Sequence, residues 1–160
     1  MQAALRTGIG FGLTSGIITT LGLMVGLFSG TGSRLAVVGG VLTIAVADGL
    51  SDALGIHISE ESDPSHSNRH VWQATAATFA AKFSMAVTFL LPLLLLPLRV
   101  AVPVGVFWGM VVLAGLSWRM ARDRKERIAA VIGEHVGIAL LVIFLSHWIG
   151  RGVAYLFPEA

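Results

Sequence analysis

Cysteine is absent from the 160 residues, which excludes disulfides, thiolate zinc centres and thiol redox chemistry; any bound metal must be held by oxygen, nitrogen or thioether. Charge is scarce too. Asp, Glu, Lys and Arg make up 12% of the chain against 55% hydrophobic residues, the balance of a membrane protein rather than of a water-soluble domain. The cations do not gather into the basic stripe that nucleic acid requires, so no nucleic-acid partner is expected and the net charge of +2 reads as a topology signal. Neither G-x-S-x-G nor H-E-x-x-H occurs, which removes the serine- and zinc-hydrolase signatures; no enzyme activity and no resident cofactor are expected.

What is present is apolar sequence in five long runs. A helix needs about 20 such residues to cross about 30 Å of hydrocarbon at about 1.5 Å per residue. The expected fold is a single all-α integral membrane domain over 1–160, with helices at about 4–28, 35–62, 72–96, 104–118 and 128–155 and no soluble portion of any size. The first run is too long for the apolar part of a signal peptide and has no small-x-small cleavage site before Arg34, so it is expected to be a mature helix. Turns are expected at 29–34 and 99–103, with a basic loop at 119–127. Loop cations set the orientation. Arg6, Arg69, Arg119, Arg122, Arg124, Lys125 and Arg127 fall on one side and Arg34, Arg99 and Arg151 on the other, so the positive-inside rule puts the amino terminus in the cytoplasm. The membrane is then the cell membrane of a prokaryote or an organelle membrane, such as the vacuole's, of a eukaryote.

Glycine is abundant, at 19 residues, and it is ordered. Gly8, Gly12 and Gly16, then Gly22, Gly26 and Gly30, form two small-residue ridges on the first helix. In lipid, close packing replaces the hydrophobic drive between helices, so such ridges seat another helix of the chain or a second copy. A homodimer packed through the first helix is the expectation.

Ionisable residues inside the runs are the functional suspects, because a carboxylate in hydrocarbon is costly and marks a path or a partner. Asp48 and Asp52 lie four apart on one helical face, and Ser59 and Asp63 continue it toward an acidic mouth. His57, Glu60 and Glu61 are three and four apart, a spacing that holds a divalent cation and equally describes a wet helix end. The polar link that follows carries His66, with His70 just beyond it. Lys82 sits at a depth similar to that of Asp48, so a buried ion pair fixing helix register is the competing reading of both aspartates. Glu134 is expected to face the bundle or a vestibule, His135 to be interfacial, and His147 to be packed. Asp48-Gly49 opens like the D-G-x-x-A-R of CDP-alcohol transferases, but Asp52-Ala53 stand in the Ala-Arg places and the later aspartates are missing.

The run Ala47-Asp48-Gly49-Leu50-Ser51-Asp52, followed by Gly55 and Ser59, resembles the second-helix pattern A-D-A-L-S-M-x-x-G-x-x-x-S of the vacuolar iron transporter family. Gly8 to Thr14 resembles that family's G-L-S-D-G-L-T with Phe11 in place of the aspartate, the segment from Pro92 to Pro97 resembles its P-L-L-P, and Ile149-Gly150-Arg151 its closing I-G-R. The resemblance implies a dimeric transporter that moves Fe²⁺ or Mn²⁺ out of the cytosol. Its metal ligands would be Asp48 and Asp52 in the path, His57, Glu60, Glu61 and Asp63 at the mouth, and Glu134 in support. Asp52 in place of the family's methionine shifts the site toward harder cations. There is no room for the family's cytoplasmic metal-binding insert in the link at 63–68. Two carboxylates a turn apart repel, which favours a shared proton until a cation arrives and hence proton antiport.

Overall fold

A computed structural model describes residues 2–158, so Met1, Glu159 and Ala160 of the single expected domain lie outside the described residues. The order is α1 (Gln2–Thr31), α2 (Arg34–Glu61), α3 (Asn68–Thr88), α4 (Leu90–Leu95), α5 (Leu98–Arg124) and α6 (Ile128–Leu156). With α3 and α4 taken as one interrupted span, five helices are long and apolar enough to cross a membrane, compatible with an integral membrane protein. Leu50, Leu54, Phe107, Phe144 and Ile149 point outward, as a lipid-facing surface requires.

Local chemistry sets the ends. Gly32 takes a left-handed φ of 58° to finish α1, and Ser33 caps α2 by accepting a hydrogen bond from the Ala36 amide. Ser67 caps α3 in the same way through the His70 amide. Pro92 has no N–H to offer the Thr88 carbonyl, and the helix breaks there at Phe89, between α3 and α4. The Arg34 guanidinium donates to the Leu96 carbonyl at 2.7 Å, closing the end of α4 from across the bundle.

The third helix starts at Asn68 rather than at about 72, and two further boundaries differ more from the sequence reading. The turn expected at 99–103 is helix, because the chain reverses at Leu96 and Pro97 and α5 accommodates Pro103 within its early turns. Most of the expected basic loop is also helix, since α5 runs on to Arg124 and ends in a Schellman-type turn. There Lys125 adopts φ 56° and the Glu126 amide donates to the Ala121 carbonyl at 2.9 Å. A side chain at that φ is strained where glycine is not. Lys125→Gly is therefore expected to raise the unfolding midpoint in detergent, a gain of up to about 1 kcal/mol.

α1 is the axis of the bundle, packed by α2, α3, α5 and α6. Ile17, Leu21 and Met24 on α1 meet Val37, Val41, Phe89, Leu93 and Leu113 in the core. Both glycine ridges are filled within the chain, the first of the two uses expected of them. Gly8, Gly12 and Gly16 sit against Ala74, Thr78 and Lys82 of α3, and Gly22, Gly26 and Gly30 against Val142, Ser146 and Gly150 of α6.

Candidate functional site

The strongest polar feature is at the middle of the bundle, where α1, α2 and α3 meet. Asp48 is central in the candidate span Arg34–Glu61 and Lys82 is central in the candidate span Asn68–Leu95, so both lie at mid-helix. On α2, Val37, Val41, Ala45, Gly49 and Ala53 form the buried stripe, and Asp48 and Asp52 flank it on the side nearest α3. The Lys82 ammonium, 1% exposed, ion-pairs with both carboxylates: with Asp48 through Oδ2, and with Asp52 Oδ2 at 2.5 Å. Ser15 of α1 completes the group. Its hydroxyl donates to Asp52 Oδ2 at 2.6 Å and accepts from Lys82 Nζ at 3.0 Å.

The α1 glycine ridge makes this reach possible. Gly16 lies directly against the Lys82 stem, so α1 comes close enough for the neighbouring Ser15 hydroxyl to enter the ion pair. The assembly has two carboxylates and one ammonium, an excess of one negative charge if all are ionised. Asp48 and Asp52 side chains keep 30% and 20% exposure. At mid-span those open carboxylate edges must meet water or protein, because hydrocarbon would not solvate them.

No family model, curated protein or solved structure matches the chain. The likeness to the vacuolar iron transporters thus rests on the quoted motifs, and the residues of the polar centre must carry their own chemistry.

The other site residues divide among separate places. His57 Nδ1 is 3.0 Å from the Thr75 hydroxyl, which donates its own proton to the Val71 carbonyl. Thr75 thus accepts from His57 Nδ1–H, and the ring also meets the edge of Trp72. His57, Glu60 and Glu61 do not form the expected ligand set, because His57 turns to α3 and Glu61 is exposed. Glu60 instead meets His66 and His70, with its Oε2 3.0 Å from His66 Nδ1 and 2.8 Å from His70 Nε2. Asp63 accepts from the Ser65 amide at 2.9 Å. Hydrogen bonds from Ser65, side chain and backbone, hold its carboxyl below the usual carboxylate range.

Glu134 does not support Asp48 or Asp52. It is exposed on α6, which packs on α1 and α5 rather than on α2, and it makes no ion pair among the described residues. Its sequence position gives the depth but not which side of α1 the helix occupies. The adjacent His135 donates from Nδ1 to Ser117, whose hydroxyl is itself bonded to the Leu113 carbonyl. His147 is exposed rather than packed, and pairs with Ser29 at 2.7 Å. Phe11, in the place assigned to the family's first-helix aspartate, faces outward; Ser15, one turn on, is the α1 residue at the centre. Sequence reasoning passed over Ser15 because a lone serine in an apolar helix carries no signal of its own.

Proposed function

We propose that the chain is a divalent-cation transporter, for Fe²⁺ or Mn²⁺, in which Asp48 and Asp52 are the midplane ligands and Lys82 is their resident counter-charge. The observation that carries the reading is the pairing of a fully buried ammonium with two partly open carboxylates at the centre of two spans. In a low-dielectric interior the favoured occupancies are those without net charge. A dication entering the triad must therefore displace positive charge from it, and protons are the charge at hand, so the chemistry of the triad favours antiport.

The excess of loop cations on the side of Arg6, Arg69 and Arg127 supports a cytoplasmic amino terminus and an acidic α2 end that collects metal from the cytosol. The Arg6–Asp123 contact at 3.8 Å is consistent with those two segments sharing a side. The motifs of the first, second and last helices favour kinship with the vacuolar iron transporters and, through it, a dimer. A second reading is a non-transporting membrane subunit in which Asp48, Asp52 and Lys82 fix helix register; the near-complete burial of Lys82 favours it.

Uptake of Mn²⁺ and Fe²⁺ into proteoliposomes tests the proposal. Wild type is expected to accumulate metal faster when the trans side is acidic and to extrude protons as metal enters, and Asp48→Asn with Asp52→Asn to fall to the rate of empty liposomes. Uptake indifferent to the pH gradient would remove the antiport step. No uptake of either ion by folded wild-type protein would leave the register reading.

A further inference from the structure

The end of α2, the link and the start of α3 converge on one carboxylate oxygen. Glu60 lies in the last turn of α2, His66 in the link and His70 in the first turn of α3. One donor atom from each lies within 4.8 Å of the other two, and the imidazole rings stack with centroids 4.0 Å apart. Side-chain exposures of 13%, 28% and 16% leave the group sheltered but reachable. We propose that Glu60, His66 and His70 form a second divalent-cation site, a two-histidine, one-carboxylate centre suited to Zn²⁺, Fe²⁺, Co²⁺ or Mn²⁺.

Three features support a ligand set over a chance meeting of polar chains. The nitrogen-to-oxygen separations of 2.8 and 3.0 Å are close to the ligand-to-ligand edge of about 3.3 Å in a tetrahedron whose bonds are about 2.0–2.1 Å. A dication entering between these atoms needs movements of only a few tenths of an ångström along those edges.

The backbone fixes the ligands without help from a metal. The Asp63 side chain accepts from the Ser65 amide, the His66 amide donates to the Asp63 carbonyl at 3.0 Å, and Ser67 caps α3 at His70. His66 and His70 are therefore held at set points on a capped turn.

The surroundings are also those of a metal histidine. Asp63 Oδ2 stands 3.9 Å from His66 Nε2, the ring nitrogen turned away from Glu60, beyond hydrogen-bond range but near enough to add negative charge. The carboxylates of Glu60, Asp63 and the exposed Glu61 favour a dication, against the one exposed cation of Arg69 beside His70 in the chain. Three protein ligands leave at least one coordination position open to water or to another ligand. The bound ion clips α2 to α3 about 12–18 Å along the helix from Asp52 and Asp48. This site stands whether or not the chain transports metal.

Metal-stripped full-length protein in detergent, titrated with Co²⁺ as an optical probe and then with competing Zn²⁺, provides the test. Wild type is expected to bind Co²⁺ with a visible ligand-field band that Zn²⁺ abolishes. Glu60→Gln, His66→Ala and His70→Ala are each expected to weaken binding at least about tenfold. Asp48→Asn with Asp52→Asn should keep the band even where uptake is lost, so the two sites fail separately. Zn²⁺ should raise the melting temperature of wild type and not that of a folded His66→Ala, His70→Ala variant, which guards against loss of fold as the cause. Wild-type protein that binds no Co²⁺, or a double-histidine variant that binds it within about twofold of wild type, overturns the proposal.

Discussion

Lys82→Met is expected to destabilise the bundle by about 3 kcal/mol, because it leaves Asp48 and Asp52 face to face with no cation between them. The figure is set at the lower end for a broken buried pair, since both carboxylates keep some exposure and one can take up a proton. Denaturant titration of the purified protein in mixed micelles reads it directly. A shift below about 0.5 kcal/mol would mean that the ammonium does not hold the three helices together.

The charge-free variant Asp48→Leu, Asp52→Leu, Lys82→Met separates structure from transport. Replacing a whole buried ion group by apolar side chains is often neutral or stabilising. The triple variant is therefore expected to regain most of the stability that Lys82→Met loses, while metal uptake stays at the level of empty liposomes. A triple variant that still carried metal would remove these residues from the path.

Gly12→Ala is the second large effect. A methyl group there would sit 2.5 Å from the Thr78 carbonyl oxygen and 3.0 Å from the Ala81 methyl, and neither neighbour can swing aside. α1 and α3 must separate, at a cost of about 1–3 kcal/mol. Because the same contact brings Ser15 to Lys82 and Asp52, uptake should fall together with stability. Gly10→Ala, Gly39→Ala and Gly133→Ala are the controls, since nothing lies within 4 Å of the added methyl. They should be neutral or gain up to about 1 kcal/mol from alanine's better helix propensity. Equal losses at Gly12 and Gly10 would contradict the close α1–α3 crossing.

Much of this was legible in the chain. Five apolar runs became five helical segments long and apolar enough to cross a membrane, since length and hydropathy are local and bilayer thickness is fixed. The misplaced turn at 99–103 shows the limit of local signals. Proline marks a turn or an early helical position equally well, and what distinguishes them is where the next helix docks. The polar centre was half legible. Asp48 and Asp52 stood out as carboxylates in an apolar run, and their depth matched that of Lys82, but Ser15 became visible only once α1 lay against α3.

The acidic mouth followed the same division. Spacing grouped Glu60 with His57 and Glu61 on one helix, whereas the link folded back and gave Glu60 to His66 and His70. The sequence by itself determined the number of long apolar segments, the ionisable residues among them and the absence of thiol chemistry, because these follow from composition and from periods of a few residues. Tertiary structure alone decided which carboxylate meets which cation, that the glycine ridges face α3 and α6, and that Glu134 is left outside. Those outcomes depend on the order of helices around α1, and in lipid that order is chosen by close packing between distant segments, which no local pattern encodes.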